Sequence, residues 1–218
     1  MRMTGRSVVI LAGGGSRRMG TDKWLLPVGG TPALGRLVAA LDGVADDIAI
    51  VLPWGADEGL RSRAQSAAAV ARPRTPVRWL ADAEPDAGPL AGIDAAFAAG
   101  VGERCLVAAA DLPFARAELA EALFRLCLAT GADAAVPERG GRPHPLFAVY
   151  GASSYERLRA YRAGGGRKVM DWVAALRVAT MPEAETAAYD PQGAALFNMN
   201  TPDEYRRAQS LVDDSQFR

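Results

Sequence analysis

Short apolar runs alternate with longer amphipathic segments over the first 140 residues. The apolar runs show no alternation of period two, which is typical of strands that are buried on both faces. The segments between them have helical spacing. We predict strands over 7–12, 47–53, 77–81, 105–111 and 133–138, and helices over 31–41, 57–70, 88–100 and 116–129. This alternation predicts an α/β domain in which helices cover both faces of a mainly parallel sheet. Thr31 and Pro32 are expected to begin the helix over 31–41 as its N-cap and its first residue.

The pattern changes after residue 140, where the elements become less regular. A chain of 218 residues is long enough for one sizeable core, so we predict a single domain over 1–211 and a flexible tail over 212–218. The C-terminal part is predicted to hold strands over 145–150 and 176–182, and helices over 151–162, 168–176 and within 197–209.

Composition narrows the classes of partner. The chain has 25 basic and 25 acidic residues, so no bulk field favours nucleic acid or an anionic membrane. Cys105 and Cys127 lack CxxC spacing and are expected to be reduced core residues rather than zinc ligands. No apolar run has the length of a signal segment or a membrane span, so a cytoplasmic location is expected.

A glycine-rich stretch follows the first predicted strand and reads LAGGGSRRMGTDK over residues 11–23. A dinucleotide-binding fingerprint needs a third glycine where this chain has Arg18. A Walker A loop needs lysine directly after its last glycine, but Lys23 follows Gly20 by three positions. Neither common phosphate-binding pattern therefore fits.

The same stretch still has the chemistry of a phosphate site. Glycines allow backbone N–H groups to approach a ligand, and Arg17, Arg18 and Lys23 add positive charge beside them. The alternative is a tight turn with solvated arginines. Two carboxylates are expected at the same edge of the sheet, because Asp82 and Asp111 follow later strands. Asp111 would hold Mg²⁺ or cap the next helix, and Asp82 would contact a ligand or form a turn.

Six motifs in order resemble those of the molybdenum cofactor guanylyltransferases, the MobA-like branch of the nucleotidyltransferases. They cover most of the chain from about residue 10 to 205 and read LAGGGSRRMGTDKWLLP, DAGPLAGI, AAADLPF, GRPHPLFAVY, GRKVMDWV and FNMNTPDEY. The resemblance implies a Rossmann-like three-layer sandwich of the nucleotide-diphospho-sugar transferase type. It also implies transfer of GMP from GTP to the phosphate of molybdopterin, with Mg²⁺ as cofactor and pyrophosphate as product.

The resemblance also implies roles for individual residues. Arg18, Lys23 and Asp111 would be catalytic, with Asp111 as the metal ligand. Molybdopterin would meet a second set, which comprises Arg142, His144, Arg167, Lys168, Asn198 and Asn200. The nucleotide would contact a third set, which comprises Leu11, Ala12, Gly13, Gly14, Gly15, Ser16, Arg18, Lys23, Asp82, Gly88, Pro89 and Leu90. Pterin-delivering or molybdoenzyme-maturation proteins would be transient partners.

Some interpretations stay open at the level of sequence. His144 fits a pterin contact or a structural loop residue, and Arg167 with Lys168 fits a phosphate site or a solvated helix start. The family often has asparagine at the end of the second strand, where this chain reads Val-Leu-Pro over 51–53, so base selectivity is less secure. A cytidylyltransferase of molybdopterin, another small-substrate nucleotidyltransferase and a non-catalytic nucleotide-binding adaptor are the alternatives. We expect alanine at Lys23 or Asp111 to abolish transfer while leaving thermal unfolding nearly unchanged.

Overall fold

The structure is a computed structural model that describes residues 5–13, 22–85 and 88–213. A short 3-10 helix spans Lys23–Leu25. The strands are β1 Arg6–Leu11, β2 Pro27–Val28, β3 Thr31–Pro32, β4 Asp47–Leu52, β5 Val77–Ala81, β6 Arg104–Ala109, β7 Ala134–Arg139, β8 Arg142–Pro143, β9 Phe147–Gly151 and β10 Val178–Met181. The helices are α1 Ala33–Leu41, α2 Glu58–Ala69, α3 Pro89–Ala98, α4 Ala117–Thr130, α5 Ser153–Ala163, α6 Val169–Ala174, α7 Glu183–Tyr189 and α8 Pro202–Asp213.

One mainly parallel sheet forms the centre of the fold, in the strand order β10-β7-β9-β6-β1-β4-β5. Strand β9 runs antiparallel to both of its neighbours, while β10, β7, β6, β1, β4 and β5 share one direction. The predicted fold class is therefore confirmed. Because six strands share a direction, their carboxyl ends lie along one edge of the sheet, which we call the carboxyl edge.

Alternate residues of each central strand enter different apolar layers, which explains the uninterrupted hydrophobic runs. Val8 and Ile10 of β1 pack with helices α1, α2 and α4, whereas Val9 and Leu11 pack with α3, α5 and α6. A third, smaller cluster joins α8 to the hairpin formed by β2 and β3. Cys105 and Cys127 are free thiols buried in the first two layers, as predicted.

Three features differ from the predicted elements. Thr31 does not cap α1, because it pairs with Val28 in the β2–β3 hairpin and the helix begins after Pro32. Helix α7 and the short strands β2, β3 and β8 were not predicted. Helix α8 runs through Asp213 with Val212 buried, beyond residue 212 where the tail was expected to begin. Residues 214–218 of that predicted tail lie outside the described residues. No helix in the described ranges is both long and apolar enough to cross a bilayer.

Candidate active site at the carboxyl edge

The end of β1 presents main-chain atoms at the carboxyl edge, because its side chains are buried in the core. Leu11 and Ala12 are buried, and the Ala12 N–H donates to the Val51 carbonyl at 2.9 Å. Gly13 is exposed, and a Cβ placed on it would lie 3.8 Å from Pro53. The rest of the glycine-rich loop that we predicted to bind phosphate lies outside the described residues, namely Gly14, Gly15, Ser16, Arg17 and Arg18.

A buried ion pair joins the two residues predicted to be catalytic. Lys23 Nζ lies 2.5 Å from Asp111 Oδ2, with side-chain exposures of only 15% and 5%. Asp111 stands two residues beyond β6, and helix α4 begins later, after Arg116. Asp111 therefore does not cap that helix, and its carboxylate faces the predicted phosphate-binding loop's lysine instead.

Two asparagines complete this polar cluster from the far end of the chain. Asn198 Nδ2 donates to Asp111 Oδ1 at 3.3 Å, and Lys23 Nζ donates to Asn200 Oδ1 at 2.6 Å. The Met199 N–H also donates to the Asp111 carbonyl at 3.3 Å. The two asparagines, which the family resemblance assigned to molybdopterin, thus contact both members of the ion pair. We call Lys23, Asp111, Asn198 and Asn200 the lysine–carboxylate cluster.

The first turn of α8 holds Asn200 in place, and this role was missed in the sequence. Glu204 Oε2 accepts hydrogen bonds from the N–H groups of Asn200 and Thr201 at 2.7 and 2.8 Å. The Glu204 N–H donates in return to Thr201 Oγ1 at 3.2 Å. This is a capping box with Pro202 as the first helical residue. The letters Thr-x-x-Glu were the available signal.

Helix α3 begins at the same edge with a residue that requires glycine. Gly88 has φ 72° and ψ −173°, a region that side-chain-bearing residues rarely adopt. Pro89 follows as the first helical residue, and the side chain of Leu90 is fully buried. A Cβ on Gly92 would lie 3.0 Å from Leu11 Cδ2, so glycine permits close packing of α3 on β1. The Leu90 side chain therefore cannot reach a ligand at this edge, and because Pro89 has no N–H and the Ala91 N–H bonds to the Gly88 carbonyl, the N–H groups left for a ligand are those of Gly88 and Leu90.

Asp82 follows β5 and forms a local turn. Its Oδ1 accepts the Glu84 N–H at 3.1 Å, and its own N–H donates to the Leu52 carbonyl at 2.9 Å. Burial raises the pKa of Asp82 above the usual range. In the structure Asp82 therefore forms the turn that was one of its two predicted roles.

The other residues predicted to meet the pterin lie around the same edge, at a distance from this cluster along the sheet. Arg142 belongs to β8, which pairs with the end of β7, and His144 follows it. Burial lowers the pKa of His144, so its ring is neutral at pH 7. Arg167 lines a cleft of about 530 Å³ between α3 and the end of α5, and Lys168 precedes α6. Within the described residues, neither Arg167 nor Lys168 forms an ion pair, so a phosphate site and a solvated helix start both remain open for these two residues.

Comparisons with known proteins identify the family of this chain. A family model described as the MobA-like NTP transferase domain matches residues 8–180. A molybdenum cofactor guanylyltransferase of Cereibacter sphaeroides is 36% identical over 216 residues, which cover 97% of this chain and 98% of the relative. The crystal structure of molybdopterin-guanine dinucleotide biosynthesis protein A from Archaeoglobus fulgidus matches with a TM-score of 0.76 and 28% identity, covering 95% of this chain and 98% of that one.

A more distant structure records a metal. Rv0371C of Mycobacterium tuberculosis, solved in complex with manganese, shares the fold at a TM-score of 0.64 and 19% identity, covering 95% of this chain and 99% of that one. The family model and the guanylyltransferase relative confirm the family resemblance drawn from the six sequence motifs.

Proposed function

The chain belongs to the MobA-like NTP transferase family, and on that premise we propose that it transfers GMP from GTP to the phosphate of molybdopterin. The observation that carries the proposal is the lysine–carboxylate cluster at the carboxyl edge, beside the end of β1. Lys23 supplies a cation for phosphate oxygens, and Asp111 supplies a carboxylate for a divalent ion. The relatives named guanylyltransferase support the choice of guanine as the base.

The reaction needs positioned charge rather than a protein nucleophile. A phosphate oxygen of the acceptor attacks the α-phosphorus, a new phosphoanhydride bond forms, and the bond from that phosphorus to the bridging oxygen breaks. Pyrophosphate leaves with the electron pair. Lys23 neutralises charge on the phosphates, and the backbone N–H groups beyond Gly13 and at the start of α3 orient them. Arg18 would share this work from the loop.

The residues around Asp111 fit Mg²⁺. The oxygen donors in the cluster are the Asp111 carboxylate and the Asn200 side-chain oxygen, which are hard ligands of the kind that this ion accepts, whereas Asn198 directs its Nδ2 toward Asp111. Among the described residues, no group of three or more His, Cys, Asp or Glu side chains forms a self-sufficient metal site. Nucleotide phosphates would therefore complete the ligand set. When bound, the ion withdraws charge from the triphosphate and favours departure of pyrophosphate.

The acceptor is expected on the side of the edge that holds β8 and α6. Arg142, Arg167 and Lys168 are exposed cations suited to a phosphate, and neutral His144 can accept or donate one hydrogen bond to a pterin ring. Exposure of this face would leave room for the transient partners that deliver pterin or mature molybdoenzymes. These events belong to the cytoplasm.

A comparison of three nucleotides, each supplied separately, tests the proposal. The protein is incubated with molybdopterin, Mg²⁺ and GTP, CTP or ATP, and pyrophosphate release is followed for each. We expect release with GTP at a rate at least about 10-fold above the others, since a tenfold preference needs only about 1.4 kcal/mol of differential binding. Preference for CTP would contradict the guanylyl assignment, and binding without turnover would favour an adaptor. Asp111→Asn should abolish release, while Arg206→Ala in exposed α8 serves as the matched control.

A further inference from the structure

One arginine outside the lysine–carboxylate cluster connects the turn at Asp82 with helix α3, two elements that hold residues predicted to contact the nucleotide. Arg162 lies in the last turn of α5, and its side chain is only 15% exposed. Its guanidinium contacts Glu84 Oε1 at 2.8 Å and also pairs with Asp94 on α3. A nearly buried guanidinium needs such partners, and two carboxylates from different elements fix its position.

Each of these carboxylates is connected to a residue that we assign to the nucleotide. Glu84 also donates its N–H to Asp82 Oδ1 at 3.1 Å, so Arg162 and Asp82 hold the same residue from two sides. Asp94 belongs to the helix that begins after Gly88. Burial raises the pKa of Asp82, and the charge of Arg162 opposes that change and favours the carboxylate. Arg162 thereby influences both the orientation of the turn and the ionisation of the Asp82 carboxyl group.

We propose that Arg162 is a positioning residue for the nucleotide, because it clamps the Asp82 turn and helix α3 against α5. The inference rests on the proposed function, since it assigns Asp82 and the start of α3 to the nucleotide. It does not require Arg162 to touch the substrate. A misplacement of these groups by about 1 Å weakens a site considerably, even when the altered residue lies away from the chemistry.

The test measures MgGTP binding by calorimetry together with steady-state KM and kcat. We expect Arg162→Ala to raise both the Kd and the KM for MgGTP by about 10-fold while kcat at saturation stays within about twofold. Arg162→Lys should recover part of the affinity, because lysine can reach one carboxylate but cannot form the fork. Arg159→Ala is the matched control, since Arg159 lines the same cleft and is exposed.

Two further variants keep the test decisive if Arg162→Ala unfolds. Glu84→Gln and Asp94→Asn each remove one half of the clamp, and each should raise the Kd for MgGTP by about threefold. A folded Arg162→Ala protein, or both half-clamp variants, with the wild-type Kd would overturn the inference. So would a loss of kcat at unchanged KM. Wild-type protein that fails to bind MgGTP would instead refute the proposed function, before any variant is compared.

Discussion

The Lys23–Asp111 ion pair should contribute to folding as well as to chemistry. Exposed ion pairs contribute about 0–1 kcal/mol, whereas removal of one partner from a buried pair costs about 3–5 kcal/mol. With side-chain exposures of 15% and 5%, this pair is close to the buried case. We expect Lys23→Met to lower the free energy of unfolding by about 3 kcal/mol, because the buried Asp111 carboxyl group would lose its cationic partner and retain only the Asn198 amide as a side-chain hydrogen-bond donor.

The partner variant should be milder, which makes a double-mutant cycle informative. Asp111→Asn removes the charge from the more buried residue, and Lys23 keeps Asn200 and some access to water, so the cost should be about 1 kcal/mol. The double variant should be more stable than the sum of the two losses predicts, with a coupling free energy of about 1–2 kcal/mol. This expectation replaces the earlier one that thermal unfolding would be nearly unchanged.

Urea unfolding followed by far-ultraviolet circular dichroism supplies the four free energies. A loss of about 3 kcal/mol corresponds to a decrease in Tm of about 6–12 °C for a chain of this size. Arg206→Ala, which breaks an exposed pair with Asp203 in α8, should change stability by less than about 0.5 kcal/mol. Additive losses, with a coupling free energy below about 0.5 kcal/mol, would refute the view that the pair is buried and interacting.

Four further substitutions probe the cap of α8, two glycines at the ends of α3 and, at the opposite edge of the sheet, Asp133. Glu204→Ala should lower the free energy of unfolding by about 1 kcal/mol and reduce turnover, since Asn200 and α8 lose their capping carboxylate; chemical denaturation and pyrophosphate release measure both effects. Gly88→Ala and Gly100→Ala should each lower the free energy of unfolding by about 1–2 kcal/mol, because alanine is strained at positive φ. Only Gly88→Ala should raise the KM for nucleotide, and an equal rise in KM for both variants would contradict the placement of Gly88 at the site. Asp133→Asn should lower the free energy of unfolding by about 2 kcal/mol at neutral pH, because hydrogen bonds from Arg177 hold the pKa of Asp133 in the folded state well below its unfolded value near 4. In acid titrations of stability, the difference between the variant and wild type should be complete above about pH 4 and should shrink as the pH falls below it.

Local patterning was sufficient for the central layer of the fold. Strands β1, β4 and β6 were predicted to within two residues, because a strand buried on both faces must be apolar throughout. Strand β5 was predicted with the observed bounds although it lies at the edge of the sheet and none of its residues is fully buried. The β2–β3 hairpin escaped prediction because two-residue strands have no period. Thr31 was misassigned because the Thr-Pro signal for a helix start was overridden by its pairing with Val28.

The sequence predicted which side chains come to the carboxyl edge, but not how they contact one another. The rule that ligands meet the carboxyl ends of parallel strands brings Asp82, Asp111 and the end of β1 to one edge. The pairing of Lys23 with Asn200 depends on how α8 packs against the β2–β3 hairpin, which no local pattern encodes. The clamp at Arg162 was missed for the same reason, since its two carboxylates lie 78 and 68 residues earlier in the chain.

The 177-residue separation between Lys23 and Asn200 also determines when the site can form during synthesis. At about 5–20 residues per second, a ribosome needs about 9–35 s to reach Asn200 after it has incorporated Lys23. Throughout that interval the lysine and, later, Asp111 are present in a nascent chain that lacks both asparagines and helix α8. The central strands can pair early in this interval, whereas the lysine–carboxylate cluster can form only after the chain has been synthesised through helix α8.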